Sequence, residues 1–384
     1  MPTGTSAEPG PDPDTDPVLI LGGGLIGLTL AHELARQGLA ATVLSRRRSE
    51  AAGFVAAGML APHAEGLDGR LLELGQRSLE RIPAWVARIE SDSGLACGLR
   101  ICGIVVPFAS AAERDAYPTA AHGERLDRSG LEREIPGIGP TWRAGLLFRQ
   151  DGQIDNRRRL MRALERACVH RGVRFEEGCE VLGLVTEPQG QQTGEAPGAQ
   201  LAAVRLRRAD GQELTLPCRE AVLCGGAWSS QLLPGLPVFP VKGQMLSLQG
   251  PIGALSRVVF GPGTYLVPRE DGLLVVGATS EPEAGFGEGL TPAGQRQLQA
   301  GIDALLPTAT GWPPMERWWG FRPCTPDQAP LLGKGPIGGL WLATGHHRNG
   351  VLLAAISAEL VAGAMHGQQS HDGLLEAFHW SRFG

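Results

Sequence analysis

Several stretches of the chain carry residue types that could do chemistry together. Gly22-Gly23-Gly24-Leu25-Ile26-Gly27 has G-x-G-x-x-G spacing, between an apolar run ending at Leu21 and a helical pattern starting at Leu25. In that context the first glycine makes a tight turn, the second lets a pyrophosphate touch backbone, and the third lets helix pack on strand. The free N–H groups at the helix start would face the phosphates, at the positive end of the helix dipole. About 20 residues on, where an acid would grip a ribose hydroxyl, stand Ser45, Arg46, Arg47 and Arg48. Arginine in place of the acid suits the 2′-phosphate of NADP. A hydroxyl and a guanidinium suit the ribose of FAD equally well, and a solvated basic turn is the plain alternative.

Two further stretches favour a flavin. Ala56-Ala57-Gly58-Met59-Leu60-Ala61-Pro62 is small and apolar, as backbone packed against a flat ring would be. Thr344-Gly345-His346-His347-Arg348-Asn349-Gly350 leads into a second helix, of which Val351 and Leu352 are among the first residues. The N-terminus of such a helix stabilises negative charge on the pyrimidine edge of a reduced isoalloxazine. A nicotinamide dehydrogenase has no need of this element.

The elements that must position these residues follow from apolar periodicity and turn signals. Val18 to Leu21, helix Leu25 to Gln37 stopped by Gly38, and strand Ala40 to Leu44 form a βαβ opening. Helices are expected over Leu71 to Glu90, with a kink at Pro83, over Asn156 to Arg171, and over Gly350 to Ala364. Strands are expected over Arg100 to Phe108, Val173 to Phe175, Val181 to Thr186, Ala221 to Cys224 and Leu340 to Ala343. Leu201 to Arg207 and Gln212 to Leu216 read as a hairpin around Ala209-Asp210-Gly211. Pro240 to Leu248, Thr264 to Pro268 and Leu273 to Gly277 read as an antiparallel sheet, and Pro188 to Gln200 as an exposed loop.

Parallel units at both ends and in the middle, with antiparallel pieces between, imply two interleaved domains in an α/β (overall α+β) fold. A doubly wound, Rossmann-like FAD-binding domain would comprise 17–90, 151–230 and 328–384. An inserted antiparallel-sheet substrate domain would comprise 91–150 and 231–327. Residues 1–16 lack a basic start and an apolar run, so they read as a disordered tail and not a signal peptide. The formal net charge of −5 disfavours a general nucleic-acid or anionic-membrane binder. Seven cysteines with no C-x-x-C pair disfavour a disulfide framework or zinc ribbon, and fit a reducing cytoplasm. Glycine (55) and proline (29) exceed a fifth of the 384 residues, yet 42 % of the chain is hydrophobic, enough for a sizeable core.

The Gly-rich start, Ala56 to Pro62, Asp151-Gly152-Gln153-Ile154-Asp155-Asn156, Pro240-Val241-Lys242-Gly243-Gln244, Tyr265-Leu266-Val267-Pro268-Arg269, Val276-Gly277-Ala278-Thr279, Gly320-Phe321-Arg322-Pro323 and Gly345 to Gly350 occur in order. Together they resemble the glycine oxidase branch of the D-amino-acid oxidase superfamily of flavoproteins, over nearly the whole chain from Pro17 onward. Ser45 departs from the usual Glu. The resemblance implies noncovalent FAD held by Gly22, Gly24, Leu25, Ile26, Gly27, Ser45, Arg46, Ala52, Gly53, Ala57, Gly58, Met59, Val181, Gly225, His346, His347, Arg348, Asn349, Gly350, Val351 and Leu352.

It also implies oxidation of glycine, or of small relatives such as sarcosine and D-alanine, with oxygen as acceptor, in a cytoplasmic homo-oligomer (a tetramer) serving thiazole synthesis for thiamine. Arg322 would clamp the substrate carboxylate, Tyr265 would assist, and Arg348 would contact cofactor or substrate. The plain alternative for Arg322 is an ion pair with Glu316 or Asp327. Lys242 reads either as a flavin neighbour or as a surface hairpin residue. Neither His346 nor His347 is assigned catalysis, and Cys324 reads as a buried inert thiol, because the covalent-flavin position of sarcosine oxidases is here Gly320. Gly261 to Thr264 and Ala284 to Gly289 are candidate lids. The competing functions are an amino-acid or proline-type dehydrogenase with a non-oxygen acceptor, a non-catalytic flavin-binding subunit, and an NADP dehydrogenase.

Overall fold

The computed structural model describes residues 16–188, 198–368 and 373–384. The expected tail, apart from Asp16, and most of the Pro188 to Gln200 loop lie outside the described residues. The ends of that loop belong to strands Glu180–Pro188 and Ala199–Arg207.

Val18–Leu21, Ala41–Ser45, Ala221–Leu223 and Leu340–Thr344 are buried along their whole length, as strands covered on both faces must be. They lie in one six-stranded sheet in the order 331–334, 340–344, 221–223, 18–21, 41–45, 174–177. All neighbours are parallel except the edge pair Leu331–Lys334 and Leu340–Thr344. Alternation along each strand decides what each face meets. Val18, Ile20 and Val43 pack into a core with helices Leu25–Arg36, Gly69–Ser93, Met161–His170 and Gly350–Met365. Leu19, Leu21 and Leu44 face Val204 and Leu206 of a three-stranded antiparallel sheet, 180–188, 199–207 and 213–217.

An eight-stranded sheet runs in the order 314–324, 239–249, 273–277, 264–268, 258–261, 104–108, 144–148, 124–126. Its strands fall wholly within 91–150 and 231–327, and those of the six-stranded sheet within 17–90, 151–230 and 328–384. One face packs Leu246, Leu266, Leu274 and Val276 against helix Pro292–Leu305. The other face, with Met245, Tyr265, Val267 and Val275, packs against Ala57, Ala61 and Ala64. The small apolar stretch is thus a wall between the two sheets.

Three expectations need correction. The strand expected from Arg100 to Phe108 is two strands in different sheets, Leu99–Arg100 and Ile104–Phe108, because Gly103 turns the chain at φ +79°. The helix expected from Asn156 opens with a π-helical turn, Asn156–Leu160, before the α-helix Met161–His170. The antiparallel sheet is larger than its three expected strands. The long strand Pro314–Cys324 is rich in Trp and Arg and carries no clean alternation, so its pairing with Phe239–Gln249 is a tertiary outcome.

Candidate active site

A cavity of about 910 Å³ runs between the two sheets, from Gly22–Gly24 and Ser45 at one end to Phe260, Tyr265, Arg322 and Arg348 at the other. Two helices open into it. Leu25–Arg36 starts beside Gly24 and Gly350–Met365 starts beside Asn349, and neither N-terminus has a side-chain cap. Their first N–H groups are therefore left for a ligand.

The three spaced glycines have different reasons to be glycine. Gly22 has φ +127°, and a Cβ there would overlap the Cys224 carbonyl. A Cβ on Gly27 would overlap the Gly22 carbonyl, so that residue serves helix–strand packing and does not line the cavity. A Cβ on Gly24 would meet only Ala51 Cβ, at 3.4 Å, an ordinary contact. Nothing in the protein forbids a side chain at Gly24; the open cavity in front of it is the space a pyrophosphate needs. This cradle, the two uncapped helices and the apolar wall from Val55 to Met59 fit an FAD.

Of the residues expected to bind cofactor or substrate, only Gly27, Asn349 and Leu352 do not line the cavity. Asn349 is buried as the residue preceding the second helix, and Leu352 points into the core beneath it while its carbonyl accepts from Ser78 Oγ at 2.5 Å. At the ribose end, Ser45 lines the cavity and Arg46 reaches Glu50 at 3.1 Å and Glu180 at 3.2 Å. Arg47 pairs with Glu50 at 3.0 Å, and Arg48 with Glu165 at 2.8 Å and with Glu177. Each guanidinium of the basic turn already faces carboxylate, which removes the electrostatic case for a 2′-phosphate.

At the opposite end, Arg322 has no carboxylate partner among the described residues. The two acids that could have held it are taken: Asp327 by Arg382 at 2.7 Å, and Glu316 by Arg157. Arg322 Nη1 instead donates to the Thr279 carbonyl at 3.1 Å, and the guanidinium lies over Gly243. Register explains this. Val241 is directly opposite Arg322, so Gly243 is its diagonal neighbour on the same face. Tyr265 is opposite Gly277 and its ring lies over that glycine. Burial raises the Tyr265 hydroxyl pKa, against the pull of the adjacent Arg322, so the phenol stays protonated.

His346 is buried with Nε2 3.0 Å from Ser357 Oγ, and burial lowers its pKa to about 3. His347 falls to about 4, through burial and then the charges of Arg322 and Arg348. Both rings are neutral at pH 7 and are poor bases. Burial pushes the Cys324 thiol up to about 11, and Gly320 occupies its own place against Val55. Lys242 fits neither of its readings. It is buried on the sheet face away from the cavity, with Nζ 3.5 Å from the Glu288 carbonyl and 5.9 Å from the Trp319 ring.

Two features of the site had little signal in sequence. Glu65 lines the cavity and meets Arg348 Nε at 2.6 Å; its one trace was an acid three residues after the small apolar stretch that ends at Pro62. At the mouth, Phe286 stacks on Trp228 (5.3 Å) and meets Phe321 edge-on (5.2 Å), so the segment from Ala284 to Gly289 is docked by an aromatic cluster. The other lid candidate, Gly261 to Thr264, contributes Gly261, Gly263 and Thr264 to the lining.

The family described as DAO, FAD dependent oxidoreductase, matches residues 17–364. The bifunctional protein ThiO/ThiG of Synechocystis sp. is 42 % identical over 377 residues, covering 96 % of this chain and 54 % of the relative. The chain thus spans about half the length of these bifunctional relatives. The glycine oxidase of Pseudomonas aeruginosa is 30 % identical, over 92 % of this chain and 95 % of that protein. The crystal structure of glycine oxidase from Geobacillus kaustophilus superimposes with a TM-score of 0.84 at 27 % identity, covering 95 % of this chain and 98 % of the other. On the match to residues 17–364, and with a cavity built as FAD requires, the chain belongs to the FAD-dependent oxidoreductase (DAO) family.

Proposed function

We propose that the chain is a glycine oxidase with noncovalently bound FAD, converting glycine, oxygen and water to glyoxylate, ammonia and hydrogen peroxide. Sarcosine and D-alanine are its secondary substrates, and its imine product serves thiazole synthesis for thiamine. The observation that carries the reading is Arg322, a guanidinium without a carboxylate partner among the described residues, at the end of the cavity away from the Gly22–Gly24 cradle. It would take the substrate carboxylate through two charge-assisted bonds, with the protonated Tyr265 hydroxyl beside it. The chemistry that FAD supplies when bound is acceptance of two electrons from the amine carbon. The protein's part is positioning. Met59, Met245 and Phe260 line this end of the cavity and keep water from the reacting carbon. Neutral His346 and His347 add no competing cation, and no residue is assigned as base, because a neutral amine needs none.

The two sheets correspond to an FAD-binding part (17–90, 151–230, 328–384) and a substrate part (91–150, 231–327). The reading includes a cytoplasmic homo-tetramer; among the described residues no helix is long and apolar enough to cross a membrane. A subunit mass from light scattering checks the assembly.

The deciding experiment is the visible spectrum of the purified protein, recorded before and after anaerobic addition of glycine. Bleaching of a flavin band by glycine, reversed by air with peroxide formed, is the expected result. A flavin band indifferent to glycine moves the substrate to another amine. A band that glycine bleaches but air does not restore moves the acceptor from oxygen to a carrier.

A further inference from the structure

Glu65 is a carboxylate at the Arg322 end of the cavity that the proposed chemistry does not use. The turn that carries it is tied down by hydrogen bonds of the two residues before it. The Ala64 N–H donates to Asp151 Oδ2 at 2.8 Å, the Tyr117 hydroxyl to the Ala64 carbonyl at 2.7 Å, and the Thr119 hydroxyl to the His63 carbonyl at 2.6 Å. His63 Nδ1 lies 2.6 Å from Asp151 Oδ1, and Gly66 follows at φ +65° against the Tyr117 ring. The turn is fixed on both sides, so the scaffold sets the backbone from which the Glu65 side chain enters the cavity. The partner of Glu65, Arg348, is the looser of the two: its side chain is 42 % exposed against 4 % for Glu65.

At the end of the cavity with Phe260 and Tyr265, two guanidiniums, Arg322 and Arg348, share the lining with one carboxylate, Glu65, while Glu50 and Glu180 lie with Arg46 and Arg47 at the ribose end. Without Glu65 that end would carry two positive charges and would best suit a ligand with two negative groups. With Glu65 holding Arg348 Nε at 2.6 Å, one uncompensated guanidinium remains. We propose that Glu65 is a specificity-determining residue: by neutralising Arg348 it restricts the site to substrates with one carboxylate and disfavours dicarboxylates. The repulsive element does the discriminating, because a second substrate carboxylate would have to approach a buried carboxylate and displace it from its arginine. The inference rests on the proposed role of Arg322.

The test uses the FAD-loaded protein and two unreactive probes, acetate and malonate, titrated while the flavin absorption spectrum is followed. The wild type should respond to acetate and bind malonate at least about tenfold more weakly. Glu65→Gln keeps the shape of the side chain and removes its charge. It should shift the acetate-to-malonate ratio towards malonate by about tenfold or more, and Glu65→Asp should return the ratio towards wild type. Equal binding of the two probes by the wild type overturns the proposal, without any need for a variant. A ratio unchanged in Glu65→Gln, with both probes weakened alike, overturns it too and leaves Glu65 a structural residue. No response of the wild type to acetate refutes the carboxylate site at Arg322 itself, and the inference with it.

Discussion

Gly243→Ala tests the geometry of the site without touching a functional group. A Cβ built on Gly243 falls 2.6 Å from Arg322 Nη2 and 2.7 Å from Cζ, with Nη1 nearer still. Non-bonded contact between such atoms is comfortable at about 3.5 Å or more, so the guanidinium must move by roughly 1 Å. What moves is the end of a flexible side chain and not backbone, so the fold should absorb the change with little loss of stability. The bond from Nη1 to the Thr279 carbonyl, 3.1 Å long, should break, and the clamp would then point away from the position of the substrate carboxylate. A misplacement of this size costs on the order of 100-fold in rate, or about 2.7 kcal/mol of transition-state stabilisation. The variant should keep its flavin band and melting temperature, while kcat/KM for glycine drops on that scale, mainly through KM. Wild-type kinetics in Gly243→Ala would show that the seat of Arg322 is unimportant. Loss of flavin in the same variant would show that Gly243 serves the cofactor and not the clamp.

Arg322→Ala should raise the glycine KM by at least about 100-fold, as expected for two lost charge-assisted bonds, with the flavin spectrum intact; unchanged kinetics removes Arg322 from the site. Gly24→Ala should fold normally yet purify with little FAD, because its Cβ meets only Ala51, at 3.4 Å. Gly22→Ala and Gly27→Ala should instead lower the melting temperature of the apoprotein, and the opposite pattern would refute the division of labour among these glycines. His346, lowered by burial from 6.5 to about 3, gives a pH dependence of known sign. Between those values the unfolded chain holds a proton that the folded one refuses, so stability falls as pH drops below about 6.5. Melting curves from pH 7 to pH 4 should be flatter for His346→Gln; curves parallel to wild type would show that another group governs the acid limb.

Much of this protein is legible in its sequence because local rules and tertiary context agree there. The strand, Gly-rich turn and helix at Val18 to Arg36, and their counterpart at Leu340 to Met365, are declared by apolar runs and by glycines that only a close approach requires. The hairpin of Ala199–Arg207 and Glu213–Pro217 is declared by its turn residues. Arg322, Tyr265 and the two helix starts could be named because motifs preserve residue types in order along the chain.

What sequence could not supply is pairing between residues far apart in it. Arg322 stood near two candidate acids, and only the fold, by giving Asp327 to Arg382 and Glu316 to Arg157, leaves its guanidinium without one. The basic turn at Arg46 to Arg48 left a 2′-phosphate, an FAD ribose and plain solvent open as its partners, and only the fold brought acids from 165, 177 and 180 onto it. Glu65 and Arg348 lie nearly three hundred residues apart, and no spacing rule joins them. The type of a residue is a local property, written at its position; its charge balance depends on which distant side chains the sheets bring to it, and only the tertiary structure decides that.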